Sequence, residues 1–382
     1  MTSLLMLSDR YPPDIGGLAI SAGRIAGAIS QLGITVQVLV WSRQLASGQI
    51  SKSIQAGITV WRIGMYRQWD MTLPITLNWL DQLHTEQAFS YVWGHYLFPG
   101  GFTAVYWGKL RGIASIVSVR GNDIDRGLFP NGDFARLVWT LQQADYITSV
   151  STDLARKVQI VSGRPDAIVL KNAVDTDLFQ PACPPVPRAT LGISPNSFVL
   201  GFVGELREKK GQKYLLEAWA KLRQQSPVHL LIIGAVREEP DSPLLSMDTT
   251  GLTITGHLSD RHLVAQHLQV CNLFVLPSLW EGLPNALLEA MASGLCCLAS
   301  NAGGIPEVIT HGRDGFIIPC TQLDQLATAI DEFRQLDPTH QQRIRQQARQ
   351  KILTEFSPSA EQQRLTRLFA QIDKERSALD VH

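Results

Sequence analysis

An α/β protein made of two doubly wound, parallel-sheet domains is predicted by three observations. Apolar runs of strand length recur along the chain, helical stretches separate them, and a proline-rich break divides them evenly. The first half holds "LLMLS", "TVQVLVW", "AFSYVWG", "ASIVSVR", "DYITSV" and "AIVLKN". The second holds "SFVLGFVG", "HLLIIG", "LTITG", "NLFVLPS", "LCCLAS" and "GFIIP". Six runs on each side imply two sheets, and 382 residues exceed what one core usually supports.

The composition is globular, with 45% hydrophobic and 18% charged residues. Thirty-four basic residues balance thirty-four acidic ones, so charge gives no reason to expect a nucleic-acid partner or a polybasic anchor. A local patch in peripheral contact with a membrane stays open. The five cysteines form no C-x-x-C pair and are odd in number, which argues against a disulfide framework or a zinc site. Cys296 and Cys297 sit in an apolar run and read as small core residues. "MTSLLMLSDRYPP" lacks a basic flank and a cleavage site, so it reads as a first strand, and no run reaches membrane-spanning length. These features predict a cytoplasmic protein.

The first domain is expected over residues 1–178, a linker over 179–197 ("FQPACPPVPRATLGISPNS") and the second domain over 198–356. A final amphipathic segment, 357–382, is expected to be helical.

Chemistry concentrates where strands end. Gly16 and Gly17 follow the first strand and open a helix, where backbone N–H groups can meet an anion. The spacing is not G-x-G-x-x-G, so a nicotinamide site loses its main support, and for the pair taken alone an ordinary tight turn is the favoured reading. Gly303 and Gly304 repeat the arrangement in "SNAGGIPEVI". In "FVGELREKKGQKYLLEAWA", Lys209, Lys210 and Lys213 follow another strand and can neutralise phosphate, although a solvated basic turn is the commoner meaning of such a run. "LPSLWEGLPNALLEAMASG" places Glu281 and Glu289 on either side of a turn that enters a helix through Pro284. Carboxylates at a strand's carboxyl end stand where open α/β sheets bind ligands.

Taken in order, "YPPDIGG", "GHYLFPGGFTA", "VSVRGNDI", "VLKNAVDTDLFQP", "FVGELREKKG", "VLPSLWEGLPNALLEAMASG" and "NAGGIPEVITHGRDGFIIP" resemble the signatures of family 4 retaining glycosyltransferases. The resemblance spans nearly the whole chain. It implies the GT-B fold, with two Rossmann-like domains facing a central cleft and the final helix packing back on the N-terminal domain. It also implies a nucleoside-diphosphate sugar donor on the C-terminal domain and a sugar, glycan or lipid acceptor on the other. Transfer would proceed with retention and without a required metal or other cofactor. By the same resemblance Glu289 binds the ribose hydroxyls and Glu281 lies near the donor sugar. Lys210, Arg207, the amides of Gly16 and Gly17, and the helix start at Asn285, Ala286 and Leu287 are the diphosphate candidates. His95 and Arg120 join Glu281 and Lys210 as catalytic candidates, with Asn122 and Asp123 on the acceptor side.

Two positions depart from the pattern. Glu205 stands where arginine is common, and Arg120 where histidine is frequent. An ion pair between them, with Arg207 taking over the phosphate, would reconcile both. Two rivals to transfer are a non-catalytic nucleotide-sugar-binding module and a GT-B epimerase or phosphorylase.

Overall fold

A computed structural model describes residues 2–126, 128, 130–237, 244 and 247–379, with the side chains of residues 122, 126, 131 and 379 outside that description. The chain divides into two compact units, 1–172 with 361–382, and 173–360.

The first unit runs β1 (Ser3–Ser8), α1 (Gly17–Gln31), β2 (Thr35–Ser42), β3 (Ile50–Gln55), β4 (Ile58–Gly64), α2 (Trp69–Glu86), β5 (Tyr91–His95), α3 (Phe102–Arg111), β6 (Ala114–Val119), α4 (Asn122–Arg126), α5 (Asn131–Gln143), β7 (Tyr146–Ser149), α6 (Thr152–Ser162) and β8 (Ile168–Val169). Its sheet has the order β3-β4-β2-β1-β5-β6-β7-β8. All pairings are parallel except the β3–β4 hairpin at one edge. Neither strand of that hairpin was among the six expected runs: "ISKSIQ" of β3 is polar and half in water, whereas "ITVWRIG" of β4 is apolar and largely buried and was overlooked.

β1 illustrates why the strands read as unbroken apolar runs. Leu4 and Met6 join one core cluster while Leu5 and Leu7 join another, so both faces of the strand are covered. The first cluster also takes in Leu365, Leu368, Phe369 and Ile372 from the chain's last helix.

The second unit runs β9 (Phe198–Val203), α7 (Gln212–Arg223), β10 (Val228–Ile233), β11 (Leu252–Ile254), α8 (Arg261–Leu268), β12 (Leu273–Leu276), α9 (Asn285–Ala292), β13 (Cys296–Ser300), α10 (Ile305–Val308), β14 (Phe316–Ile318), α11 (Leu326–Arg334) and α12 (Pro338–Glu355). The last helix, α13 (Pro358–Leu379), then returns the chain to the first unit. The strand order β11-β10-β9-β12-β13-β14 is wholly parallel and reverses direction between β9 and β12. In a doubly wound sheet the carboxyl ends of strands at such a reversal form the ligand edge.

The segment 179–197 packs as part of the second unit. Phe179 is buried, and Arg188 donates to the carbonyls of Ser197 and Val270 and to the side chain of Asn272. Cys271, Cys296 and Cys297 are buried free thiols, and burial pushes Cys271 up to about 12.

Candidate active site

In the second unit, three loops meet at the β9/β12 reversal because glycines let their backbones touch. A Cβ on Gly211 would lie 2.0 Å from the Pro277 carbonyl oxygen, and one on Gly303 would lie 2.0 Å from that of Glu281. Both glycines have positive φ, so a side chain is refused by conformation as well as by space. The amide of Leu279 donates to the carbonyl of Lys209, and that of Gly304 donates to Gly282.

This frame brings Lys210 and Glu281 together. The Lys210 ammonium pairs with Glu281 Oε1 at 2.5 Å, and Ser278 Oγ donates to the same oxygen at 2.8 Å. Glu281 is only 8% exposed. Burial alone would raise its carboxyl, but the charge and hydrogen bond of Lys210, the charge of Lys209 and the Ser278 hydroxyl outweigh burial and hold it below the usual range. It is an anion at neutral pH.

α9 starts beside this pair. Asn285, Ala286 and Leu287 form its first turn after Pro284, and no side chain caps their amides. The Asn285 Oδ1 is buried without a hydrogen-bond partner among the described residues. One turn later, buried Glu289 accepts a bond of 2.9 Å from Arg261 of α8, whose guanidinium also lies 5.0 Å from the Phe179 ring centre. Arg207 caps the short turn at Glu208–Lys210 and lies 3.6 Å from Glu205.

In the first unit, Gly16 precedes α1 with φ of 119° and no side-chain cap, so the helix start is bare, with Gly17 as its first residue. His95 ends β5 fully buried, shares a 2.9 Å hydrogen bond through Nε2 with Ser21 Oγ, and has no partner at Nδ1 among the described residues. Burial first, then the charges of Arg120 and Arg24, hold His95 well below its ordinary range. It is therefore a neutral imidazole at neutral pH.

Arg120 donates to Asn172 Oδ1 at 2.5 Å. Arg24 also donates to Asn172 and pairs with Glu361 of α13. Burial pushes Arg120 down to about 9, assisted by Arg24 and opposed by Glu361 and Asp123.

Two expected roles meet local partners in the structure. Glu205 is taken by Arg237 within the second unit and Arg120 by Asn172 within the first, so each departure has a local partner. The reason for pairing Glu205 with Arg120 disappears. Asp123, placed on the acceptor side, instead uses its carboxylate on the backbone, accepting from the amides of Leu97, Arg120 and Gly121. It staples the exits of β5 and β6. The side chain of its neighbour Asn122 lies outside the described residues.

Burial raises Asp123 to about 6 against the opposing pull of those amides. A buried acid with a raised pKa holds its proton more tightly folded than unfolded, so its ionisation costs stability as pH rises from about 4 to about 6. At about 1.4 kcal/mol per unit the cost is on the order of 3 kcal/mol, complete above pH 6. Chemical denaturation of wild type and Asp123→Asn across pH 4–7 should show a declining limb in the former that is flatter in the latter. Parallel curves would mean that Asp123 ionises normally.

Sequence reasoning missed Ser278, Arg261 and Arg237. Ser278 was within reach, because it sits three residues before Glu281 in the quoted motif. Arg261 lies 28 residues from its partner and Arg237 lies 32, distances that leave no local periodic signal.

With this geometry in place, family models resolve the assignment. The Glycosyl transferase 4-like domain matches residues 16–172, and Glycosyl transferases group 1 matches residues 187–351. The chain belongs to the family 4 glycosyltransferases. Among curated relatives of this glycosyltransferase family, N-acetyl-alpha-D-glucosaminyl L-malate synthase of Bacillus anthracis is 23% identical over 359 residues, 90% of this chain and 91% of that one. Alpha-maltose-1-phosphate synthase of Mycolicibacterium smegmatis is 29% identical over 238 residues, 57% of this chain and 60% of that one. The match to an Escherichia coli alpha-1,3-galactosyltransferase, at 32% identity, spans 43% of that protein. The chain thus spans between about two fifths and three fifths of these last two relatives.

Solved structures extend the likeness over the full fold. Sucrose-phosphate synthase from Thermosynechococcus elongatus superposes with TM-score 0.79 at 17% identity, covering 98% of this chain and all of that one. HepE of Anabaena, solved with UDP and glucose, gives TM-score 0.79 at 18% identity over 97% of this chain and all of that one. The two Rossmann-like units are those of the GT-B fold.

Proposed function

We propose that this chain transfers a sugar from a nucleoside-diphosphate sugar to a sugar, glycan or lipid acceptor, with retention at the anomeric carbon and without a required metal. The observation that carries the reading is the Lys210–Glu281–Ser278 cluster beside the open start of α9, at the ligand edge of the second sheet. Breaking a glycosidic bond to a diphosphate builds negative charge on the phosphates. A fixed ammonium and uncapped amides lower the barrier by meeting that charge as it develops. Glu281 keeps Lys210 in position and offers an ionised carboxylate to sugar hydroxyls and to positive charge at the anomeric carbon. Glu289 reads the ribose, since one carboxylate can accept from two vicinal hydroxyls. His95, neutral and buried, and Arg120 are the catalytic candidates of the first unit in this reading.

No helix among the described residues is long and apolar enough to cross a membrane.

A thermal-shift screen of UDP-, GDP- and ADP-sugars is the first test, because a ligand at a hundred times its dissociation constant adds about 2.7 kcal/mol of stability. NMR of the transferred product then reads the anomer. Binding of no nucleotide sugar, or an inverted product, would overturn the respective part of the proposal. Exhaustive chelation should change the initial rate less than a few-fold. Loss of most activity, restored by magnesium, would instead place a metal on the diphosphate.

A further inference from the structure

The loops after β9 and β10 are stitched together by backbone. Leu206 N donates to Ala235 O at 2.8 Å and Arg237 N donates to Leu206 O at 2.9 Å, making a short parallel bridge beyond the sheet edge. Behind it, a Cβ on Gly234 would lie 2.1 Å from the Gly204 carbonyl oxygen, so the two loops are in direct contact.

That frame aligns Glu205 with Arg237. Arg237 Nε and Nη2 donate to Oε1 at 3.0 and 2.9 Å, and Nη2 donates to Oε2 at 2.8 Å. Arg207 Nη1 stands 3.6 Å from Oε2, so one carboxylate is shared by two guanidiniums. Glu205 and Arg237 side chains are 43% and 50% exposed, and ion pairs that open to water add little to folding stability. Stability does not explain so elaborate an arrangement. Its position does: Lys209 and Lys210 follow on the same loop, and the β9 and β10 ends both belong to the ligand edge. Arg207 Nε is also buried with no hydrogen-bond partner among the described residues. A guanidinium held along one edge by a carboxylate keeps its remaining N–H groups fixed in direction, ready for a phosphate oxygen.

We propose that Arg237, oriented by Glu205, is a further phosphate-binding residue for the donor diphosphate and forms a two-arginine clamp with Arg207. The inference rests on the nucleotide-sugar reading above. Glu205 engages Nε and Nη2, and Nη1 is the donor left for the ligand. Glu205 is the positioning residue, and across residues 205–210 and 237 the four cations Arg207, Lys209, Lys210 and Arg237 still outnumber the two acids Glu205 and Glu208.

Calorimetric titration of wild type, Arg237→Ala, Arg237→Lys and Glu205→Gln with UDP, GDP, ADP, their monophosphates and inorganic pyrophosphate tests this. Arg237→Ala should weaken the best-bound diphosphate about ten- to a hundredfold, the range for a hydrogen bond between charged groups, with a much smaller effect on the monophosphate. Arg237→Lys should recover part of the loss, because it restores charge without the fork. Glu205→Gln should weaken diphosphate binding less than Arg237→Ala, since its amide still accepts one bond. Diphosphate affinity unchanged in Arg237→Ala overturns the inference while leaving the donor reading intact. An equal loss for mono- and diphosphate overturns it too, by moving Arg237 to the nucleoside. Wild type that binds none of these probes overturns both.

Discussion

Glu281→Ala is expected to lower sugar transfer by on the order of a hundredfold or more while leaving nucleoside-diphosphate affinity within a few-fold of wild type. The carboxylate is buried against Lys210 and Ser278, and its backbone carbonyl is in contact with Gly303. It therefore cannot be displaced without cost to the arrangement around it. The diphosphate loses nothing directly, because the lysine remains and is released from its intramolecular partner. Affinity for the free nucleotide should hold or rise. What disappears is the fixed negative charge near the sugar, which matters only as positive charge develops at the anomeric carbon. Glu281→Gln separates charge from packing: it keeps the volume and can still accept from Ser278, so a comparable loss of rate assigns the effect to charge. Lys210 is 19% exposed on its side chain, so it can turn toward water and moderate the penalty of an unpaired buried cation. Equal losses of nucleotide affinity in the Glu281 and Glu289 variants would end this division of roles.

The fold was legible where burial on both faces makes a strand wholly apolar. β1, β9 and β12 are each bounded by turn residues, and each appears among the expected runs. The polar β3 was not, because it pairs at an open edge and its sequence need not exclude water. The two glutamates and Lys210 were legible because a strand, a glycine turn and a proline-led helix fix their places locally. Their partners were not. Arg261 and Arg237 reach across the sheet edge from other βα loops, and only the strand order brings those loops side by side. The backbone role of Asp123 was not legible either: an aspartate after a strand gives no sign that it accepts from the amides of Leu97, Arg120 and Gly121. For the proline-rich 179–197, the break in regular structure was legible but its packing was not, since the contacts of Phe179 and Arg188 are made with residues far along the chain.

If Glu289 reads the ribose as proposed, Glu289→Ala should weaken nucleotide-sugar and free nucleoside diphosphate alike, by about ten- to a hundredfold, because both ligands carry that ribose. The residue is 5% exposed and Arg261 holds Oε1 at 2.9 Å, so the carboxylate is oriented and dry enough for hydroxyl recognition to be strong. Substitution leaves Arg261 without its anion, yet that side chain is 32% exposed and stacked near Phe179, so water can solvate it and the variant should fold. The decisive comparison uses 2′-deoxy nucleotides. Wild type should discriminate against them, because a site built to accept a hydroxyl is left unsatisfied without it. Glu289→Ala should bind ribo and deoxy forms equally, since the discriminating acceptor is gone. Arg261→Ala should fall between the two, with orientation impaired and the acceptor retained. If Glu289→Ala keeps both wild-type affinity and wild-type discrimination, Glu289 is only the buried counter-ion of Arg261, and the ribose must be read by other groups.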